Sequence, residues 1–274
     1  MFYDPDTNKY PYPENTDGHY LVVKKDRGIV FDANYPYIDE SKTFKRGRAL
    51  VRFLLKTVVF PMARIKMGLK IEGKENLKKY AEVLYGGAVT CSNHVHMWDY
   101  IAVMKALYPI KPYVLSWAKN VNGENGRMIR YVGGIPIPEN NFAATKAYLK
   151  AVCKMLGSGG VLHVCPEGSM WEYYAHVRPF KKGAAYIACK TDKPVIPMGF
   201  SFRKPSFLRR LFGQAATITL NIGEPLYRDK DLPFKAQVED LTVRMHRAVC
   251  DLAGIAPNEC IYPPVFNGQK RADK

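Results

Sequence analysis

No apolar run in this 274-residue chain approaches the roughly 18–20 residues that a membrane-spanning helix needs; the longest candidate is broken by Lys56. The opening MFYDPDTNKY is acidic and aromatic. It has no basic n-region and no apolar h-region, so no signal peptide is expected. None of the six cysteines sits in a C-x-x-C pair, and several lie in apolar runs. Free buried thiols in a reducing cytoplasm are the expectation. There is no internal repeat and no low-complexity tract. Acid is also scarce: 25 Asp plus Glu stand against 41 Lys plus Arg, a net charge of +16. A chain this basic is expected to meet something acidic, whether nucleic acid, an anionic membrane or a phosphorylated substrate.

What is present is a globular composition, 47% hydrophobic, long enough to bury a sizeable core. From residue 71 onward, short apolar runs alternate with helical stretches. GGAVTCSN precedes a helix over 97–108, KPYVLSW one over 119–132, and GGIPIP one over 141–157. GGVLHVCPEG precedes a helix over 181–191, PVIPMGFSF follows, and ATITLNIG precedes a helix over 235–253. Strand alternating with helix predicts an α/β domain with a mixed, largely parallel sheet flanked by helices. The expected organisation is an irregular extension over 1–41, a basic amphipathic helix over 42–70, the main domain over 71–255 and an extended tail over 256–274. Within the extension, HYLVV and GIVF flank KKDR and read as a short hairpin.

Residues 42–70 hold nine cations and no acid. Arg48, Arg52 and Lys56 recur every fourth residue and stack on one helical face, with Leu50, Val51, Leu54, Leu55, Val58 and Val59 on the broad opposite side. Pro61 is expected to kink or end the helix. Such a helix suits an anionic membrane surface, its cations at headgroup level and its apolar face in the acyl boundary. FRKPSFLRRLF (202–212) mixes cations with aromatics and reads as a second membrane contact.

SNHVHMWDY (92–100) carries two histidines and an aspartate within six residues, just after a strand. In an α/β sheet, chemistry collects at the carboxyl ends of strands, and Glu167 follows the strand GGVLHVC in the same way. A metal reading uses His94, His96 and Asp99. It lacks the paired histidines and third or fourth converging ligand that zinc needs. A proton-transfer reading uses His94 as base, with Asp99 fixing its tautomer. No G-x-S-x-G elbow supplies an enzyme nucleophile, so the substrate must bring its own hydroxyl. His163 is expected to be a satisfied core residue and His96 pocket wall or surface. Met97 and Trp98 are expected to pack beneath the dyad.

NHVHMWD resembles the N-H-x-x-x-x-D block of the lysophospholipid (lysophosphatidic acid) acyltransferase family. Three further stretches follow in that family's order. GGIPIPEN (133–140) looks like its second block, VCPEGSMW (164–171) is similar to F-P-E-G-T-R, and KPVIPMG (193–199) to V-P-I-V-P. RPFKKGAA (178–185) resembles the P-F-K-x-G-A stretch. The resemblance covers about residues 71–225.

It implies a glycerolphosphate acyltransferase-like fold and an O-acyltransferase with no bound cofactor or metal. His94 would be the general base and Asp99 its orienting partner. The acyl donor would be acyl-CoA or acyl-carrier protein, and the acceptor a lysophospholipid such as 1-acylglycerol-3-phosphate. Backbone N–H groups around Glu167 and Gly168 would hold an oxyanion or a phosphate, and Glu167 would bond acceptor hydroxyls or brace the turn. Asn93 and Ser169 also fall within the matched blocks as substrate-site residues. The sequence departs where the family usually places two phosphate-gripping arginines: Pro138, Glu139 and Asn140 follow the second block's core, and Met170 follows Ser169. Lys119, Arg130, Arg178, Lys181 and Lys182 are the cations that could replace them, with Arg130 and Arg178 favoured for their bidentate geometry. The expected setting is peripheral or monotopic, on the cytoplasmic face of an anionic membrane, without nucleic acid. Two other readings stay open: the metal-dependent hydrolase, and a basic lipid-surface protein with a degenerate site.

Overall fold

A computed structural model describes residues 26–139 and 141–255, together with Tyr3, Pro5, Tyr12, Pro13, Asn15, Gly18, His19 and Val23. Its centre is a seven-stranded sheet in the order β1-β7-β6-β2-β5-β3-β4. The strands are β1 (Lys70–Glu72), β2 (Ala88–Ser92), β3 (Tyr113–Trp117), β4 (Gly134–Ile137), β5 (Val161–Val164), β6 (Val195–Arg203) and β7 (Thr217–Ile222). All neighbouring pairs are parallel except β6 and β7. The six expected strand segments are all present; β1 is an addition the sequence reading did not include.

The helices are α1 (Lys42–Leu54), α2 (Phe60–Lys66), α3 (Lys74–Lys79), α4 (Ala81–Tyr85), α5 (Asp99–Leu107), α6 (Ala118–Asn122), α7 (Gly126–Val132), α8 (Phe142–Gly157), α9 (Gly183–Thr191), α10 (Phe207–Leu211) and α11 (Phe234–Ala253). Local chemistry sets several of their ends. The Asn141 side chain accepts from Ala144 N–H at 2.9 Å to cap α8, and Gly254, left-handed at φ 75°, ends α11. The stretch expected as one helix over 119–132 is two, α6 and α7, separated at Gly123.

Helices cover both faces of the sheet. Tyr148, Val152 and Leu156 of α8, Ile187 of α9 and Leu241 of α11 join Val89 and Leu162 in one core. Ala102, Val103 and Ala106 of α5, with Ala63 of α2, join Ile196, Met198 and Phe200 in the other. Alternation along a strand explains the split: neighbours Val195 and Ile196 belong to opposite cores.

His163 lies mid-strand and fully buried, as expected for a core histidine. Ser92 Oγ donates to Asn93 O, so it accepts from His163 Nε2 at 3.3 Å. Thr90 Oγ1 donates to Nδ1 at 2.9 Å. Both ring nitrogens are satisfied in the neutral form, and burial pushes the pKa down to about 3. The unfolded chain would bind this proton below about pH 6.5 while the folded one would not, so stability is fully present above that pH and falls as pH drops toward 3. Between pH 6.5 and 5 the expected loss from this residue is about 2 kcal/mol. Urea unfolding at both pH values checks it: His163→Gln should flatten the dependence, and an unchanged slope counts against the assignment.

Three expectations are corrected. Of the two outcomes expected at Pro61, a kink or an end, the helix does not end there but runs on to Lys66. Leu55–Val59 winds as a π-helix, and Phe60 N–H bonds Leu55 O, so the chain passes a residue without an N–H and continues into α2. The stripe Arg48, Arg52 and Lys56 meets the protein's own residues. Arg48 stacks over Tyr113 at 3.9 Å, Arg52 donates to Pro112 O at 3.1 Å, and Lys56 lies over Tyr108 at 5.0 Å. Burial, then Arg48, pulls the Arg52 pKa down to about 10, so it remains charged. These cations dock the helix onto β3 and the loop before it. The apolar side faces outward instead: Leu50, Phe53, Val58, Met62 and Ile65 are exposed. Third, the thiols are not all free. Cys91, Cys153, Cys165 and Cys189 are, but Cys250 is disulfide-bonded. Gly28–Phe31 is not a strand; most of HYLVV and the 256–274 tail lie outside the described residues.

Candidate active site

β2 and β5 are adjacent parallel strands, so their carboxyl ends deliver His94 and Glu167 to one place. The chain turns back after β2 and enters α5 at Asp99, whose carboxylate points into that turn. Asp99 Oδ2 lies 3.0 Å from His94 Nδ1 and also accepts N–H bonds from Val95 at 2.7 Å and His96 at 2.9 Å. The five-residue separation, which would put both on different faces of a continuous helix, is bridged by this turn. Asp99 is fully buried, whereas the His94 side chain keeps 28% of its surface accessible. With Nδ1 engaged, Nε2 is the nitrogen left to exchange a proton.

The turn after β5 interlocks with this one. His94 N–H donates to Glu167 Oε2 at 3.3 Å, and Trp171 N–H donates to His94 O at 3.1 Å. Glu167 is buried, and its carboxylate also receives Arg178 Nη2 at 2.9 Å and Arg178 N–H at 3.0 Å. Burial raises the Glu167 pKa while Arg178 opposes the rise. Gly168 sits at φ +83°, and a Cβ there would come within 2.9 Å of Lys181 Nζ. The left-handed backbone is what calls for glycine here, since the lysine end can move aside.

Several expected ligands have internal work. Arg178 is 2% exposed. It bonds Ser169 Oγ at 3.0 Å, the Ser169 carbonyl and Glu167, and stacks over Trp171 at 4.4 Å. It braces the turn. Arg130 bonds the carbonyls of Pro36, Tyr37 and Gly134, tying the N-terminal extension to β4. Asn93 exchanges both of its amide bonds with the Phe200 backbone, at 3.0 and 2.7 Å. Gly168 N–H closes its own turn onto Cys165 O at 3.1 Å, so it is not an oxyanion donor. Lys181 remains over Gly168, and Lys119 Nζ lies 5.1 Å from the Trp117 ring; both are exposed.

His96 is buried, with its Nδ1 accepting from Trp98 N–H at 3.0 Å. It is not a surface residue, and its Nδ1 is engaged by its own turn rather than by a shared metal site. Among the described residues no three His, Cys, Asp or Glu side chains could hold a metal ion. Met97 is 60% exposed and does not pack beneath the dyad; Trp98 is partly buried and lies under Lys66 at 4.6 Å.

The sequence reading missed a contribution from the N-terminal extension. Gly18 O accepts from Ser169 Oγ at 2.9 Å and from Trp171 Nε1 at 3.0 Å. Tyr12 stacks on Trp171 with 5.3 Å between centroids, and His19 stacks on Trp117 at 3.9 Å. Tyr12 and Gly18 therefore lie against the second turn of the site. Its only signal was a high content of tyrosine, which offers a flat face and a hydroxyl at once.

Residues 68–201 match the family model described as Acyltransferase. Among solved structures, the chain is similar to the crystal structure of the 1-acyl-sn-glycerophosphate (LPA) acyltransferase, PlsC, from Thermotoga maritima. The identity is 22%, the match covers 79% of this chain and 84% of that one, and the TM-score is 0.48. No curated protein matches significantly.

Proposed function

Residues 68–201 of this chain belong to the acyltransferase family, and we propose that they move a fatty acyl group from a thioester donor to the hydroxyl of a lysophospholipid at a membrane surface. The observation that carries the chemistry is the His94–Asp99 pair, with its carboxylate fixed by two backbone N–H groups and its imidazole open on the far side. His94 Nε2 takes the acceptor hydroxyl proton as the oxygen attacks the thioester carbonyl. The tetrahedral intermediate collapses, the C–S bond breaks, and the imidazolium returns the proton to the departing thiolate. Asp99 stabilises the imidazolium and never needs the proton. The donor is acyl-CoA or acyl-carrier protein, and 1-acylglycerol-3-phosphate is the acceptor that the strongly positive charge favours. Lys181, beside Gly168, and Lys119, beside Trp117, are the exposed cations proposed to meet its phosphate.

The membrane reading rests on apolar exposure. No helix among the described residues is long and apolar enough to cross a bilayer. The outward face of α1 and α2 is nonetheless hydrophobic, and α10 docks beside it. Arg209 donates to Ile65 O at 2.7 Å, and Gln214 to Lys66 O at 2.7 Å. α10 and its cap add Phe207, Leu208, Leu211 and Phe212, exposed by 66–89%. Together these make an apolar surface larger than scattered residues produce. The setting is the cytoplasmic leaflet, where anionic lipid complements the net charge.

The decisive experiment incubates pure protein with labelled acyl-CoA and a panel of lysolipids. Acylated lysophosphatidic acid is the expected product, and free fatty acid without acylated lipid would overturn the reading. In vesicle flotation, Phe53→Ser/Val58→Ser/Ile65→Ser should lower partitioning at least tenfold. Unchanged flotation would remove this face as the membrane contact.

A further inference from the structure

A groove of about 400 Å³ lies between α3, α4 and the end of α5, a size typical of small-molecule sites. α5 begins at Asp99 and first lines the groove at Lys105, so at 1.5 Å per residue the groove is separated from the dyad by about 9 Å of helix. Its floor is apolar, built by Leu77, Leu84 and Leu107, and three lysines line it: Lys74 and Lys78 from α3, Lys105 from α5. No carboxylate does. Lys74 and Lys78 share one helical face.

The groove's lysines lack the partners that neighbouring lysines have, and Glu75 and Glu82 of the same helices do not line it. Lys70 pairs with Glu72, and Lys79 with Glu224. Among the described residues, Lys74, Lys78 and Lys105 make no ion pair, and neither do Lys56 and Arg64 at the adjoining helix. Lys105 Nζ donates to Phe60 O of α2 at 2.8 Å, which leaves two of its N–H groups for a ligand. Burial, then Arg64 and Lys74, lowers its pKa. Lys56 lies over Tyr108, itself a lining residue. Like charges gathered over an apolar floor repel one another until an anion joins them.

We infer that this groove is a binding site for an anionic phospholipid, distinct from the acyl-transfer centre. The phosphate takes Lys74, Lys78 and Lys105, and the first part of a chain lies on Leu77, Leu84 and Leu107. A lipid fits better than an acidic peptide because Lys105 of the groove bonds Phe60 O of α2, the helix that carries exposed Met62 and Ile65. A protein seated on that face at the bilayer brings the groove to headgroup level. The assignment rests on the membrane-surface reading only in drawing its ligand from a bilayer.

The test uses full-length protein and soluble dihexanoyl phosphatidylglycerol, with dihexanoyl phosphatidylcholine as the uncharged comparison, by titration calorimetry. Saturable phosphatidylglycerol binding is expected, roughly tenfold weaker in Lys74→Gln/Lys78→Gln. A control, Lys146→Gln/Lys150→Gln, removes the same charge at the same spacing from α8 and should bind like the parent. A photoactivatable phosphatidylglycerol should cross-link within residues 74–85 or 105–110. No binding by the parent, equal weakening in both double variants, or cross-links confined elsewhere would each overturn the site. Because neither readout involves acyl transfer or vesicles, an inactive or non-floating protein sinks the proposed function without deciding this question.

Discussion

His94→Ala is expected to lower acyl transfer by roughly 10²–10⁴ with the fold retained, since a positioned general base contributes about that much. The side chain is partly exposed and bonds Asp99, so its removal costs little packing. Asp99→Asn is the more informative partner. In many His-Asp pairs the asparagine presents its NH₂ to the imidazole and forces the wrong tautomer. Here the oxygen facing His94 also accepts from the Val95 and His96 N–H groups. Two fixed donors select the amide oxygen for that position, so asparagine should keep the turn and the tautomer while removing the charge. The expected loss is then the imidazolium stabilisation alone, roughly 10–10³-fold, with an unchanged melting temperature. Asp99→Ala should lose more activity and also stability, because two buried N–H groups lose their acceptor. Measuring kcat and thermal unfolding for all three variants separates charge from geometry. If Asp99→Asn unfolds as readily as Asp99→Ala, the oxygen-selection argument is wrong.

Much of the fold was legible because buried parallel strands write themselves as short apolar runs. AVTCS, VLHV and TITLNI could be placed from sequence, with the helices between them. The dyad was legible for the same reason: His94 and Glu167 each follow such a run. What periodicity could not supply was the direction of a charged stripe. Arg48 and Arg52 repeat with the helix, which fixes that they share a face but not which way it points. Aromatic Tyr113 and the Pro112 carbonyl, about sixty residues away, decide that it points inward. The extension over the site was hidden for a different cause. Gly18 and Tyr12 act through a backbone carbonyl and a ring face, which leave no repeating pattern. Likewise, whether an arginine binds a ligand or braces a loop depends on burial, which a motif does not encode.

Arg178 is where that difference has its largest consequence. Arg178→Ala would leave Glu167 buried without the guanidinium that offsets its desolvation. Breaking one side of a buried pair typically costs 3–5 kcal/mol, which for a domain of this size lowers the melting temperature by about 10 °C. The damage should reach the chemistry as well, because the same Glu167 oxygen that meets Arg178 holds His94 N–H. Loss of kcat is therefore expected, with little change in acceptor KM. A phosphate-gripping arginine would give the opposite pattern: acceptor KM raised tenfold or more, kcat and stability nearly intact. Glu167→Gln combined with Arg178→Met should recover much of the lost stability, since neither charge is then stranded. It should not recover full activity, because the methionine cannot hold Ser169 as the guanidinium does. A double-mutant cycle on stability, run beside the KM measurements, distinguishes the two roles. Additive stability losses for Glu167 and Arg178 would show that the pair does not act as a unit, and the brace would fall with it.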